Sequence, residues 1–147
     1  MKFRSAAVVL VAIVSAGLLH SMVRAQPMPQ AGTRSVRDGV FTEEQRQRGA
    51  ATFAEKCSMC HGHDMNGGEE APALYGANFM ADWNGLTVGD LSERIRISMP
   101  PDNPEKVTKQ ENVDIIAQIL KANGYPAGSS ELVPRTEILK LIKIEPK

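Results

Sequence analysis

Two thiols and an imidazole stand close together at Cys57-Ser58-Met59-Cys60-His61, and the chain contains no other cysteine. Thiols separated by two residues lie about one helical turn apart, a spacing that suits addition to the two vinyl groups of one haem. The adjacent histidine can then reach the iron. The C-x-x-C-H arrangement is typical of covalent c-type haem attachment, so we expect one haem c bound through Cys57 and Cys60.

Three other chemistries use similar residues. A thioredoxin-type redox pair would stand at a strand-to-helix junction in a βαβ pattern, which the sequence does not indicate. A structural zinc site needs about four tetrahedral ligands, and adjacent Cys60 and His61 give poor geometry even with His63 nearby. A structural disulfide would close too short a loop to stabilise much. The motif therefore favours haem attachment.

Helices must position this motif, and three are indicated by capping residues and apolar spacing. Thr42-x-x-Gln45 predicts a capping box and a helix from about Glu43 to Lys56. Thr87 opens a second helix that Pro100 ends near Ser98. The third is the most strongly marked, because Thr108-x-x-Glu111 precedes an apolar face that ends at Asn123-Gly124.

The central segment between these helices, residues 62–76, is a loop rich in Gly and Pro. Long loops and a low aromatic content of 5% leave a core that side chains alone fill poorly. We therefore predict a small all-α fold of three to four helices whose long loops wrap around one covalently attached haem.

The N-terminal segment has the composition of an export signal. Lys2 and Arg4 precede the almost wholly apolar stretch Ala6–Leu19, and Ala25 is a small residue suited to cleavage before Gln26. The alternative is a retained membrane anchor, but the apolar stretch is shorter than the ~20 residues that a spanning helix needs. We expect residues 1–25 to be a cleaved signal peptide, the protein to be periplasmic, and no membrane span to remain.

Residues 26–40 follow as a predicted flexible leader rich in Pro, Gln, Ser and Gly. Removing residues 1–25 leaves 14 basic against 17 acidic side chains, a net charge of −3. A phosphate-binding surface needs a basic excess, so this balance argues against a nucleic-acid partner.

Residues 41–128 resemble the small class I cytochromes c. Gly49, Phe53 and Cys57 have that family's Gly-x-x-x-Phe-x-x-x-Cys spacing, in which the glycine lets the terminal helix approach the first helix. The stretches from Trp83 to Pro101 and from Ile119 to Gly124 are similar to cytochrome domains associated with quinoprotein dehydrogenases.

The sixth iron ligand is expected to be a methionine, and four compete within this domain. Met59 and Met65 lie too near His61 to reach the opposite haem face, and Met80 is better suited to the core. Met99 precedes two prolines that stiffen its backbone, and the family ligand is likewise a Met before Pro. We assign His61 and Met99 to the iron, with a core methionine as the alternative for Met99.

Other side chains are expected around the haem. The resemblance implies that the Pro72 carbonyl accepts a hydrogen bond from His61, fixing the plane of the imidazole ring. Trp83 and Tyr75 are candidates to hydrogen-bond the haem propionates or to pack on the ring.

The resemblance implies a single-electron carrier, not an enzyme, in which the iron cycles between Fe(III) and Fe(II). Its partners would be redox proteins, with a quinoprotein dehydrogenase as donor and a terminal oxidase as acceptor. The alternatives are a five-coordinate haem enzyme or gas sensor, or a cytochrome subunit of a larger dehydrogenase complex.

The last segment, residues 129–147, lies beyond the part that resembles the family. Its apolar residues are too dense for a solvated tail, and they fit either a short helix or an extended strand. We expect a C-terminal arm packed on its own domain, since an exposed apolar tail promotes aggregation; docking on a partner is the alternative.

Overall fold

The computed structural model describes residues 33–147. The predicted signal peptide lies outside the described residues. The described residues contain six α-helices and two very short strands, and the predicted all-α cytochrome c fold is confirmed. In chain order they are β1 (Arg34–Ser35), α1 (Glu43–Lys56), α2 (Ser58–His61), α3 (Gly76–Trp83), α4 (Val88–Ser98), α5 (Lys109–Ala122), α6 (Thr136–Leu139) and β2 (Ile142–Lys143). Three to four helices were expected, and the additional ones include two single turns of four residues, α2 and α6.

The caps of these helices follow from their sequences. Thr87 and Thr108 each accept a hydrogen bond from the third helical backbone N–H, and the carboxylates of Asp90 and Glu111 at those positions accept a bond from the backbone N–H of the capping threonine. At the end of α5, Gly124 is left-handed with φ of 80°, and its N–H and that of Tyr125 bond back to Lys121 and Leu120.

Only one of the two hydrogen bonds of the capping box predicted at the start of α1 is present. Thr42 accepts from the backbone of Gln45, but the Gln45 side chain does not return to the cap. Its amide is instead fully buried, where it donates to Asp114 and exchanges hydrogen bonds with the backbone of Leu132. A buried amide must have hydrogen-bond partners within the protein, whereas the backbone N–H at a helix start can bond to water. The Gln45 side chain therefore bonds to the interior and not to the cap.

Helices α1 and α5 cross with their backbones in close approach at Gly49. A Cβ atom added at Gly49 would lie 1.8 Å from the carbonyl oxygen of Asp114. No side chain fits in that space. Phe53, one turn further along α1, is buried in the same core.

Beside this crossing, Asp114 is buried and fully engaged. Arg48 donates to both of its carboxylate oxygens at 3.0 and 3.2 Å, and Gln45 and Gln110 each add one amide hydrogen bond. Arg48 also reaches Glu131 at 2.8 Å, and the two carboxylates raise the pKa of its guanidinium. The network joins α1, α5 and the beginning of the C-terminal arm.

The predicted boundary of the flexible leader at residue 40 is wrong. Arg34–Ser35 forms β1, Ser35 and Asp38 cap a 3-10 turn, and Val36 and Val40 are almost fully buried. The polar composition of this segment gave no indication that the two valines belong to the hydrophobic core, or that Arg34 and Ser35 pair with a distant segment. The packed domain therefore begins by residue 34.

That distant segment is the C-terminal arm, which lies on its own domain. β2 pairs in parallel with β1, placing Arg34 opposite Ile142. Ile144 exchanges backbone hydrogen bonds with Gly85 and Leu86 at 2.8 and 2.9 Å. The arm combines the two conformations considered from its sequence, one turn of helix followed by a strand.

The arm contributes core side chains whose loss can be measured. Ile144 is fully buried, so Ile144→Ala should reduce the free energy of unfolding by about 2–5 kcal/mol. Val133, on the same arm but 38% exposed, provides the control, and Val133→Ala should cost much less. Chemical unfolding of the purified variants tests this, and equal stability of the two would contradict the packing described.

Candidate functional site

The C-x-x-C-H motif occupies the turn where α1 ends and α2 begins. Cys57 caps α1, with its N–H bonded to the carbonyl of Phe53, and α2 then carries Met59, Cys60 and His61. Ser58 donates from its hydroxyl to the Ala54 carbonyl at 2.7 Å, which ties α2 to the last turn of α1. The position of the motif therefore depends on the position of α1.

The two thiols differ in environment. Cys57 is partly buried, and desolvation raises the pKa of its thiol to about 11 despite the nearby Lys56 ammonium. Cys60 is exposed, and neither cysteine is in a disulfide. Both cysteines are therefore free thiols, with Cys60 open to solvent and Cys57 facing the protein interior.

The His61 ring is held by one nitrogen. Nδ1 lies 2.9 Å from the carbonyl oxygen of Pro72, and the side chain is buried. Nε2 has no hydrogen-bond partner among residues 33–147, and it is not fully shielded from solvent. An imidazole that donates through Nδ1 to a fixed carbonyl presents Nε2 as a metal ligand.

The loop that carries Pro72 folds back tightly on α2. Gly67 donates to the His61 carbonyl at 2.9 Å, and its φ of 72° is in the left-handed region. A Cβ atom at Gly67 would lie 2.5 Å from the backbone nitrogen of Ala73. Glycine at position 67 thus allows the loop segment around Pro72 to approach the histidine. This role of Gly67 was not predicted from the sequence.

Met99 lies at the opposite end of α4 from its capping box. It ends the helix in extended conformation, with its N–H bonded to the Ile95 carbonyl, and its partly buried side chain packs against the core. The other methionines are placed differently: Met59 is 94% exposed, Met65 is buried, and Met80 accepts a hydrogen bond from the Tyr125 hydroxyl at 3.3 Å.

A salt bridge connects the surroundings of the motif and of Met99. Lys56, the residue before Cys57, pairs with Glu111 at 2.6 Å and also donates to the Lys106 carbonyl, in the turn that follows Met99. The bond from Lys56 lowers the pKa of Glu111, together with backbone donation from Thr108. The end of α1 is thus fixed to the segment between α4 and α5.

Trp83 and Tyr75, the aromatic residues expected near the haem, have polar groups without hydrogen-bond partners among residues 33–147. Trp83 ends α3, is partly buried, and stacks on Phe79 with ring centroids 6.3 Å apart. Tyr75, at the start of α3, is 49% exposed. Neither the indole N–H nor the Tyr75 hydroxyl has a hydrogen-bond partner among residues 33–147, so both remain candidates for the role predicted from sequence.

Residues 44–119 match the family model described as cytochrome C oxidase, cbb3-type, subunit III, and this match spans more than half of the chain. The chain belongs to this cytochrome c family. No curated protein and no solved structure matches it significantly. The expected resemblance to class I c-type cytochromes is confirmed.

A cytochrome c domain implies haem c, and the residues of this cytochrome fit that group. Two unpaired thiols stand at the required spacing, one of them exposed, and the adjacent imidazole is oriented through Nδ1 with Nε2 unpaired. The redox-pair alternative is not supported, because helix α1, not a strand, precedes the motif. Zinc needs about four ligands, and within residues 33–147 no three His, Cys, Asp or Glu side chains gather to hold a metal ion.

Two substitutions test the attachment chemistry. The double variant Cys57→Ala/Cys60→Ala should contain no covalently bound haem and little folded protein, because the cofactor then no longer completes the core. Met59→Ala, between the two cysteines and in solvent, should retain full attachment. Mass spectrometry of the denatured proteins measures the haem adduct, and an adduct on the double variant would refute the assignment.

Proposed function

We propose that this cytochrome is a periplasmic single-electron carrier in which His61 and Met99 are the axial ligands of one haem c. The observation that carries the proposal is the His61 imidazole, held through Nδ1 by Pro72 and available at Nε2. When bound, haem c supplies reversible one-electron chemistry between Fe(III) and Fe(II).

The chain's own residues tune that chemistry. Donation from Nδ1 to the Pro72 carbonyl makes the imidazole a stronger ligand and fixes its plane. A thioether from Met99 is a soft, neutral donor that raises the reduction potential. Apolar side chains of Phe53, Leu91 and Ile95 limit the access of water, which keeps the reorganisation that accompanies electron transfer small.

Periplasmic location rests on the export signal read in residues 1–25, which lie outside the described residues. Among residues 33–147, no helix combines the length and the apolarity that crossing a membrane requires.

The alternative is a five-coordinate haem enzyme or sensor, in which Met99 would not bind iron. Met99→Ala should open the sixth position, lower the reduction potential and allow carbon monoxide or imidazole to bind. Met80→Ala, which removes the other partly buried methionine, should leave the low-spin spectrum unchanged. Absorption spectra of the ferric and ferrous proteins measure these effects.

A wild-type ferric protein with a high-spin spectrum would favour the enzyme or sensor. Loss of the low-spin spectrum in Met80→Ala, with retention in Met99→Ala, would transfer the ligand role to Met80.

For the partners, we propose a quinoprotein dehydrogenase as electron donor and a terminal oxidase as acceptor. Subunit III of a cbb3-type oxidase is named by the matching family model, which supports an oxidase-linked acceptor. Membership of a larger dehydrogenase complex is the remaining alternative, and the hydrodynamic size of the native protein separates a free carrier from a subunit.

The charge around the motif indicates the kind of surface that the donor presents. From Cys57 to Glu93 the chain contains no Lys or Arg. Glu55, Asp64, Glu69 and Glu70 are exposed, and none of them forms an ion pair within residues 33–147. Exposed Met59 lies between Glu55 and Asp64 in the sequence, and a Cβ atom at Gly68, the residue before Glu69, would lie 3.7 Å from the Cys60 carbonyl oxygen. We infer that these residues form an acidic edge, which fits a donor with basic residues around an apolar centre.

Salt dependence tests the acidic edge. Reduction of the ferric protein by a candidate quinoprotein dehydrogenase should slow by roughly tenfold or more between low and high ionic strength. Glu69→Gln/Glu70→Gln should slow it at low salt, whereas Glu44→Gln/Glu137→Gln, with the same charge change elsewhere, should not. Stopped-flow absorbance gives the rates, and equal slowing by both double variants would contradict a localised docking edge.

A further inference from the structure

Asn123 is the residue at which α5 ends, and its side chain does more than end the helix. It is buried, and it forms three hydrogen bonds. The Nδ2 amide donates to the Ile119 carbonyl within α5 at 2.9 Å. The other two bonds leave the helix, and they reach the loop that precedes α3.

Both of those bonds hold the same short segment. Nδ2 donates to the Leu74 carbonyl at 2.9 Å, and Oδ1 accepts from the Gly76 backbone N–H at 3.0 Å. One amide therefore fixes the backbone on either side of Tyr75. The helix stop itself is already made by the backbone of Gly124 and Tyr125, so it does not require these contacts.

The segment held by Asn123 is continuous with the Pro72 carbonyl. Leu74 also donates its N–H to the Met65 carbonyl at 2.8 Å, and Gly68 donates to the Ala71 carbonyl at 2.9 Å. Pro72 lies between these two anchored residues, and its own carbonyl lies 2.9 Å from Nδ1 of His61. Displacement of Leu74 would therefore change the distance or the direction of the Pro72–His61 hydrogen bond.

We propose that Asn123 is a positioning residue for the axial histidine, acting through Leu74 and Pro72. The inference rests on the proposed function, because it concerns His61 as an iron ligand. Two polar groups of the loop backbone depend on a single buried amide, and removing a partner from such groups leaves them unsatisfied. The loop then relaxes, the imidazole loses part of its hydrogen bond, and its basicity toward iron falls.

Asn123→Leu removes the donor and acceptor of the amide while keeping the branched shape and the number of heavy atoms of the side chain. A less basic imidazole stabilises Fe(III) less, so the reduction potential should rise relative to wild type. Hydrogen exchange at the Gly76 amide should become faster, and the His61 ring resonances in the paramagnetic NMR spectrum should shift. Potentiometric titration and NMR of the holoprotein measure these three effects. Asn123→Ser, whose side chain is small enough to fit without displacing its neighbours and too short to reach both Leu74 and Gly76, gives the same measurements should the leucine variant yield no folded protein.

Asn112 provides a matched control on the same helix. It is equally well buried and donates through Nδ2 to the Ser92 carbonyl of α4 at 3.0 Å, away from the Pro72 loop. Asn112→Leu should change thermal stability but leave the potential, the Gly76 exchange rate and the His61 resonances at wild-type values.

An unchanged potential in both Asn123 variants, or the same shift in Asn112→Leu, would overturn the positioning role. A high-spin wild-type protein would instead refute the proposed axial ligation. The two failures are therefore distinguishable.

Discussion

The close crossing of α1 and α5 at Gly49 is the constraint on which the rest of the molecule depends. With only 1.8 Å between a hypothetical Cβ and the Asp114 carbonyl oxygen, the two backbones are in direct contact, and any larger residue at position 49 would force the helices apart. The C-terminal end of α1 continues directly into Cys57, while the C-terminal end of α5 carries Asn123. One helix pair therefore places the attachment motif and the anchor of the Pro72 loop with respect to each other.

The buried polar side chains beside this crossing stabilise it, because they are hydrogen-bonded to one another. Asp114 would be costly to bury alone, but Arg48, Gln45 and Gln110 satisfy its oxygens. Gln45 also bonds to Leu132, which brings the C-terminal arm into the same network. The arm thus has two kinds of attachment to the domain: buried apolar side chains near its end and a buried amide near its beginning.

Features governed by local sequence were predictable, and those governed by distant partners were not. The helix from Glu43 to Lys56 and the cap at Thr108 follow from residues within one or two turns, and both are present as expected. Gln45 was misassigned to a capping box because its actual partners are 69 and 87 residues away. The composition of residues 34–40 predicts a flexible segment, because the strand that pairs with Arg34 and Ser35 is more than 100 residues away in the chain. Similarly, the sequence indicates only that Asn123 ends a helix. Its hydrogen bonds to Leu74 and Gly76 depend on the tertiary fold, because these residues are 49 and 47 positions away.

The parallel pair formed by β1 and β2 has a consequence for the order in which the domain is completed. The end of β1 at Ser35 and the start of β2 at Ile142 are separated by 106 residues, and helices α1 to α6 all lie between them. Because synthesis proceeds from the N-terminus, β1 has no partner until the end of the chain emerges, and closing so long a loop is slow compared with forming a helix. The Cys57–His61 turn, by contrast, follows α1 directly and is complete long before β2 emerges. The β1–β2 pair is therefore one of the last backbone pairings that the growing chain can form, and it joins residues from opposite ends of the domain.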